Sequence, residues 1–184
     1  MSPRFLRFVL SILTPLLIIN QPILADDWKP ISPEEIAMKT PKVEPNADAE
    51  AIFWEVRVDD SSEDLALKHY VRVKNFTERG REKFSKVDIP FSKGMRIKDI
   101  AARVIKSDGS IVELKKEDVF EREIVKVDDV KVKAKSFAIP NIEIGVIVEY
   151  RYREIISSSS ANNMRLVFQR DIPIQQSFYF FRWL

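Results

Sequence analysis

The stretch that decides the fold is Val146-Ile147-Val148-Glu149-Tyr150-Arg151-Tyr152-Arg153, which alternates with a period of two residues. One set of alternate positions, or phase, holds only valine and tyrosine. The other phase is charged from Glu149 onward. A period of two sends successive side chains to opposite faces of a β-strand, whereas an amphipathic helix repeats after about 3.6 residues. The stretch therefore predicts a strand with one buried face.

Similar alternation recurs along the chain. It covers residues 52–59 and 65–74, and both stretches predict half-buried strands. The remaining predicted strands are 101–106, 111–114, 164–170 and 174–184. Within residues 130–135, valine and alanine alternate with lysine. This pattern indicates a solvated strand face, typical of a guarded sheet edge.

The links between these strands are short. Asp108-Gly109 predicts a two-residue hairpin turn. After residue 50 no helical stretch is long enough to cross between parallel strands, although residues 77–83 and 115–119 have room for a turn or two. We therefore predict an all-β fold, an antiparallel β-sandwich of about nine or ten strands over residues 47–184, with a short N-terminal helical leader.

Residues 26–46 form that leader, which is rich in proline. Ser32, Pro33 and Glu35 occupy the N-cap, first and third helical positions, which is the pattern of a capping box. We expect a helix over residues 33–39 that ends before Pro41, because the position preceding a proline disfavours helical conformation.

Residues 1–25 have the pattern of a cleavable signal peptide. Arg4 and Arg7 precede an apolar run over residues 8–19, and Ala25 supplies a small residue at the cleavage point. A membrane anchor is the alternative, but an anchor needs about 20 apolar residues and this run is shorter. We therefore expect a bacterial protein that is exported to the periplasm or secreted, with no stable membrane span after cleavage.

Composition narrows the classes of function. Of the 184 residues, 45% are hydrophobic and 32% are charged, which excludes a wholly disordered chain. Loss of residues 1–25 removes two of the 30 basic residues and none of the 28 acidic ones, leaving a formally neutral chain. Nucleic-acid binders carry net positive charge, so we expect no nucleic-acid partner. The sequence has no cysteine and one histidine, which excludes thiolate chemistry and argues against a histidine metal cage or triad.

The stretch from Trp28 to the C-terminus resembles a family of exported bacterial proteins in which a β-sandwich domain of unknown function precedes a transglutaminase-like core. The resemblance rests on the leader running into residues 47–51, on the hairpin at residues 107–110, and on the closing segment 168–174. Its most specific motif is Gly-x-x-x-Glu-Tyr-Arg-Tyr at residues 145–152.

The resemblance implies that the family's chemistry, a Cys-His-Asp triad akin to that of papain-like peptidases, belongs to the downstream core. This chain has no cysteine to act as the nucleophile, so no catalytic residue transfers to any position in it. We expect no catalytic residue, no cofactor and no metal in this chain.

Three polar features have both a functional and a structural interpretation. His69 shares the phase of the apolar residues of its strand, so we expect a buried or rim histidine with one satisfied nitrogen rather than a base or ligand. The acidic run at residues 59–64 lacks the spacing and the glycine of a calcium loop, and indicates a solvated hairpin loop, as do the acidic pairs 117–118 and 128–129. The serine run 157–160 lacks a Gly-x-Ser-x-Gly elbow and indicates a loop.

The C-terminal strand carries aromatic side chains on both faces, which is poorly suited to a strand that ends in water. Either it is a central strand packed on both sides within this domain, or it docks against something absent from this chain. One predicted face holds Phe178, Phe180 and Leu184, and the other holds Tyr179, Phe181 and Trp183. The candidate interface consists of Phe178, Tyr179, Phe180, Phe181 and Trp183.

Two hypotheses for function follow. The first is a non-catalytic exported module that positions or partners a downstream transglutaminase-like core missing from this chain. The alternative is a free-standing carbohydrate- or peptide-binding module of the cell envelope, whose partner is an envelope protein or peptide. An exposed planar row of tryptophan and tyrosine favours the alternative, and the residues to check are Trp28, Trp54 and Tyr70.

Export and processing are directly testable. We expect the protein recovered from the envelope fraction to begin at Asp26, because the charged flank, the short apolar run and Ala25 define a cleavable signal. Intact-mass measurement checks the cleavage point. Membrane-held material that still begins at Met1 contradicts cleavage and supports an anchor.

Overall fold

A computed structural model describes residues 28–127, 130–161 and 165–182. The chain divides into two units, one that ends at residue 30 and one that begins at residue 31. Of the first unit only residues 28–30 are described, and they form no helix or strand. The predicted signal peptide and its cleavage point lie outside the described residues.

The described part of the second unit contains nine strands and two short helices. The helices are α1 (Pro33–Ala37) and α2 (Glu78–Lys83), and one 3-10 turn spans Lys116–Asp118. The strands are β1 (Ala49–Asp59), β2 (Leu65–Asn75), β3 (Lys86–Phe91), β4 (Met95–Ile105), β5 (Ile111–Glu113), β6 (Phe120–Val127), β7 (Val130–Ala138), β8 (Ile147–Ile156) and β9 (Ser177–Arg182). The predicted all-β fold with a short helical leader is confirmed.

The strands form two packed sheets. The larger sheet has the order β5-β4-β8-β2-β1-β9 and the smaller one the order β3-β7-β6. Every described strand pair is antiparallel except β1 with β9, which run parallel. The antiparallel sandwich predicted from the sequence is therefore confirmed, with one parallel pair at an edge of the larger sheet.

The core lies between the two sheets. The larger sheet contributes the side chains that lie on the same face as the valines and tyrosines of residues 146–152. Val71, Val104 and Val148 are completely buried on neighbouring strands of the larger sheet. The ring of Tyr150 meets the ring of Phe137 from the smaller sheet edge to face, with the ring centroids 6.5 Å apart. We call this the inner face of the larger sheet, and the opposite one its outer face.

The outer face is held by a completely buried carboxylate, that of Glu149. It accepts hydrogen bonds from Tyr70 Oη at 2.7 Å, Arg72 Nε at 2.7 Å and Arg103 Nε at 2.6 Å. Arg103, Glu149 and Arg72 are direct cross-strand partners on β4, β8 and β2, and the Arg72 guanidinium lies over the ring of its β1 partner Phe53. Burial alone lowers the pKa of Arg72, but the two glutamates beside it reverse this and hold the pKa above its ordinary value.

The leader is attached to this face through the capping box that the sequence predicts. The Ser32 hydroxyl accepts from Glu35 N, and the Glu35 carboxylate accepts from Ser32 N. The same carboxylate accepts from Arg72 Nη1 at 2.8 Å, and Lys74 Nζ donates to Ile36 O at 2.7 Å. The helix ends at Ala37, earlier than predicted, because the next residue is already extended.

A second buried carboxylate joins the leader, β1 and the segment before β9. Glu50 accepts from Lys42 N and Val43 N of the leader, at 3.0 and 2.7 Å. It also accepts from Gln175 Nε2 at 2.7 Å. These contacts couple residues distant in sequence to one strand position.

Two local predictions are wrong in detail. The hairpin between β4 and β5 has a three-residue loop, since Lys106 N donates to Ser110 O, and Gly109 alone takes a positive φ there. The alternating lysines of residues 130–135 lie on β7, which is the central strand of the smaller sheet and not the edge strand that the sequence predicts. Lys135 pairs with Ile89 and lies on the same face of the strand as buried Phe137. Its charge is compensated by an ion pair with Glu121 on β6.

We expect Glu149→Gln to lower the free energy of unfolding by about 3 kcal/mol, because it leaves two buried guanidinium groups without their shared anion. Urea unfolding followed by circular dichroism measures the loss. The matched control is Glu143→Gln, since Glu143 is 61% exposed and pairs with Lys106 at 3.1 Å. We expect it to cost less than about 1 kcal/mol. Equal losses in the two variants contradict the role of the buried carboxylate.

Candidate functional site

The predicted interface lies on β9, the edge strand beside β1 in the larger sheet. The strand spans residues 177–182 rather than 174–184, and Ile174 forms only an isolated bridge to Ala51. Register with β1 puts Tyr179 and Phe181 on the inner face. Phe178 and Phe180 lie on the outer face, with their rings 6.2 Å apart. Trp183 and Leu184 lie outside the described residues.

Both faces of the aromatic strand reach solvent. Phe180 is 44% exposed and Phe181 is 42% exposed, while Phe178 and Tyr179 are half-buried. The Arg57 guanidinium lies 4.5 Å from the centre of the Phe180 ring. In the described part of the chain, only β1 pairs with β9, so the strand is not the central strand that the sequence left open.

Residues 165–170, predicted as part of a strand, have no regular secondary structure; Met164 lies outside the described residues. This segment instead covers the inner face of β9. The ring of Phe168 lies 4.3 Å from that of Tyr179, whose hydroxyl donates to Val167 O and accepts from Arg170 Nη2. This segment is therefore held by side-chain contacts with β9, and not by the backbone hydrogen bonds that a strand at 164–170 would form with a neighbouring strand. Val167 and Phe168 themselves remain exposed.

Between this segment and the sheets lies a cavity of about 630 Å³. Its floor is a row of cross-strand neighbours on the inner face of the larger sheet, Tyr152, His69, Val56 and Tyr179. Trp54 lies in the adjacent row, and Ile89 and Pro90 of the smaller sheet line the opposite side. The volume is within the range of about 300–1,000 Å³ that is usual for small-molecule sites.

His69 is the most buried titratable group of the cavity floor, with a side chain 9% exposed. Its ring stacks on Tyr152 at 4.4 Å, and its Nε2 lies 3.3 Å from Glu154 Oε2. Neither ring nitrogen makes a hydrogen bond of acceptable geometry with any residue that the structure describes. The histidine is buried as the sequence predicts, but the expected satisfied nitrogen is absent.

Arg170 forms the other polar side of the cavity. Its guanidinium stacks over the Trp54 ring, 4.6 Å from the ring centre. Arg170 Nε and Trp54 Nε1 are buried and have no hydrogen-bond partner among the described residues. Burial raises the pKa of neighbouring Tyr152, so its hydroxyl stays neutral. The cavity therefore combines apolar walls with several unused hydrogen-bonding groups.

The other polar clusters predicted from the sequence do not join this site. In the acidic loop, Asp59 accepts from the Ser61 hydroxyl and Asp64 pairs with Arg96. The hydroxyls of Ser157 and Ser160 are hydrogen-bonded to each other, although Ser160 reaches the cavity wall. The pair 117–118 lies in the 3-10 turn, and 128–129 lie outside the described residues. Among the residues that the structure describes, no group of three or more His, Asp or Glu is placed to hold a metal ion.

The planar aromatic row that favours a carbohydrate-binding module is not formed by Trp54 and Tyr70. Trp54 pairs with Val71 on the inner face, while Tyr70 pairs with Glu55 on the outer face. Tyr70 is also buried. These two rings therefore lie on opposite sides of one sheet and cannot contact the same flat ligand.

The sequence did not reveal the cavity. Tyr152 and His69 alternate correctly within their strands, but alternation does not show that their strands are neighbours. The sequence predicts Arg170 within a strand, and its contact with Trp54 bridges residues far apart in sequence. The only available signal was polarity: His69 and Glu154 are polar residues in otherwise apolar phases.

The chain folds as a β-sandwich module with an exposed aromatic edge strand and a cavity between its two sheets. Residues 63–182 match the family described as a domain of unknown function with a solved structure, DUF3857. The chain belongs to this family. No curated protein matches it.

One solved structure supports the fold. A crystal structure from Parabacteroides distasonis ATCC 8503, described as a "putative protease", matches with a TM-score of 0.52 and 15% identity. The match covers 60% of this chain and 23% of that one, so this chain spans less than a quarter of the length of that protein. A CBM3a-L domain of the scaffoldin cipA from Clostridium thermocellum matches at 14% identity over 71% of this chain and 82% of that one, but its TM-score of 0.34 is too low to compare folds.

Within the described ranges, no helix is long and apolar enough to cross a membrane.

Proposed function

We propose that this chain is a non-catalytic, exported β-sandwich module that docks against a transglutaminase-like core through the β9 edge, defined as the exposed aromatic strand that carries Phe180 and Phe181. The observation that carries the proposal is the exposure of these two rings on an edge strand, at 44% and 42%.

An edge strand of this composition needs a cover. Exposed edges offer unpaired backbone groups, and natural proteins protect them with lysine, proline, bulges or a covering element. β9 reads Ser-Phe-Tyr-Phe-Phe-Arg, with no lysine or proline and with its single charge at Arg182. The exposed side chains of Val167 and Phe168 lie beside its inner face and extend the apolar surface. A partner that buries this surface gains stability without disturbing the core.

The choice of partner comes from the family resemblance. The motif at residues 145–152 is the most specific part of the likeness to domains that precede a transglutaminase-like core. Membership of the DUF3857 family supports the domain assignment, and the fold occupies only part of the longer Parabacteroides chain. Both findings are compatible with a module that acts beside a larger catalytic unit.

A non-catalytic role is supported by the inventory of reactive groups. The sequence contains no cysteine. His69 and Glu154 form a histidine–carboxylate pair, but no described hydroxyl is hydrogen-bonded to His69. Nucleophilic catalysis requires a nucleophile within reach of its base, and the described residues do not supply one.

We expect the purified chain to have neither peptidase nor transglutaminase activity, and thiol-directed reagents to have no effect, because no thiol is present. Assays with fluorogenic peptides and with an amine-incorporation substrate check this. Turnover that disappears on His69→Ala, while the thermal melt stays unchanged, overturns the non-catalytic assignment.

Docking is tested with Phe180→Ser combined with Phe181→Ser. The partner is a transglutaminase-like core from a family member, produced as a separate domain, and isothermal titration calorimetry measures the affinity. We expect the double variant to bind at least about tenfold more weakly, because burial of one phenylalanine contributes about 2 kcal/mol. Its melting temperature should change by only a few degrees, since both rings are substantially exposed.

The matched control is Ile111→Ser, which removes an apolar side chain 48% exposed on β5, the opposite edge of the same sheet. We expect it to leave the affinity for the core unchanged. Absence of binding by the unmodified chain contradicts docking. Self-association that the double variant abolishes instead assigns the β9 edge to a second copy of the chain.

A further inference from the structure

The inter-sheet cavity has the groups of a binding site that the aromatic edge does not explain. We propose that it binds a carboxylate attached to an apolar or aromatic body, either a free aromatic acid or the C-terminal residue of a peptide. The inference rests on the cavity alone and does not depend on docking at β9.

Unused donors are the first argument. Buried polar atoms in folded proteins nearly always have a hydrogen-bond partner, and each exception requires an explanation. In the described residues, four buried atoms of the cavity make no hydrogen bond of acceptable geometry: Trp54 Nε1, Arg170 Nε, and both ring nitrogens of His69. Of these, His69 Nε2 lies 3.3 Å from the Glu154 carboxylate, so the proposal rests on the other three. Indole and guanidinium nitrogens only donate, and an imidazole donates from at least one nitrogen. The missing partner is therefore an acceptor.

Charge is the second argument. Among the described residues of the cavity wall, Arg165, Arg170 and Lys93 face a single acidic side chain, Glu154. The Arg170 guanidinium is fixed by its stack on Trp54 and by its bond to the Tyr179 hydroxyl at 3.2 Å. A cation that is held in place with its Nε unused is prepared for a charge-assisted hydrogen bond to an anion.

The apolar walls decide which anion fits. Leu67, Ile89 and Ile156 line the cavity with the rings of Trp54 and Tyr152. Such walls remove an apolar body from water but satisfy none of the further oxygens that a phosphate or a sugar presents. A carboxylate has only two oxygens, in one plane, and leaves the rest of the ligand apolar. An apolar carboxylic acid therefore matches both parts of the cavity.

The histidine provides a direct reporter. His69 is the only histidine in the sequence, so the imidazole signals of an untagged chain in an NMR spectrum come from the cavity floor without assignment. The probe is N-acetyl-L-phenylalanine, and the matched probe without the charge is N-acetyl-L-phenylalaninamide. We expect saturable shifts of the His69 signals with the acid and at least about tenfold weaker binding of the amide, as for the loss of a charge-assisted hydrogen bond.

Two variants test the donors. Arg170→Met should weaken binding of the acid at least about tenfold, and Trp54→Phe, which keeps a ring but removes the N–H, should weaken it by several fold. The control is Arg79→Met, which removes an arginine 82% exposed on α2 and outside the cavity lining. We expect the control to bind as the unmodified chain does. Thermal melts exclude unfolding, and Trp54→Phe remains informative if Arg170→Met does not fold.

The source of the carboxylate is distinguished by a blocked peptide. N-acetyl-Ala-Ala-Phe with a free C-terminus should bind more tightly than N-acetyl-L-phenylalanine if the ligand is a peptide end, and more weakly if it is a free acid. Absence of saturable His69 shifts with both acids overturns the proposal. Equal affinity for acid and amide, or unchanged affinity in both folded variants, overturns it as well.

Discussion

The Glu149 carboxylate is completely buried and accepts hydrogen bonds from Tyr70, Arg72 and Arg103. These residues belong to three neighbouring strands, β2, β8 and β4, so a single anion fixes how those strands are aligned. A slip by one residue moves Glu149 to the inner face, among valines that offer no donor. A buried anion without donors is strongly disfavoured, and the register of half of the larger sheet therefore depends on this one group.

The same network explains why the leader belongs to the folded unit. Arg72 bonds to Glu149 through Nε and to Glu35 of α1 through Nη1. An arginine is suited to this role because its planar fork donates in several directions at once. Glu50, near the start of β1, has a similar role, because it binds the leader backbone and Gln175. Two buried acids thus connect the leader and the segment before β9 to strands of the larger sheet.

The buried polar groups around Glu149 and Glu50 differ from those that line the cavity. Glu149 and Glu50 have donors from several elements. Around the cavity, His69, Trp54 and Arg170 retain buried nitrogens with no hydrogen-bond partner among the described residues. Several donors to one buried acid are typical of a structural role, whereas unsatisfied donors around a cavity are typical of a binding site. The aromatic β9 edge adds a separate apolar surface suited to a protein partner.

The sequence alone determined the class of fold, the capping box at Ser32 and Glu35, and the faces on which residues of β1, β2, β8 and β9 lie. These follow from local rules, because side-chain direction in a strand depends on a period of two and a cap depends on residues three apart. Strand order is not local. Tertiary contacts decided that β7 is central and that β9 runs parallel to β1. They also decided that residues 165–170 pack on Tyr179 without forming a strand. The cavity has the same origin, since Arg170 meets Trp54 only when distant segments pack together, and no local pattern encodes that distance.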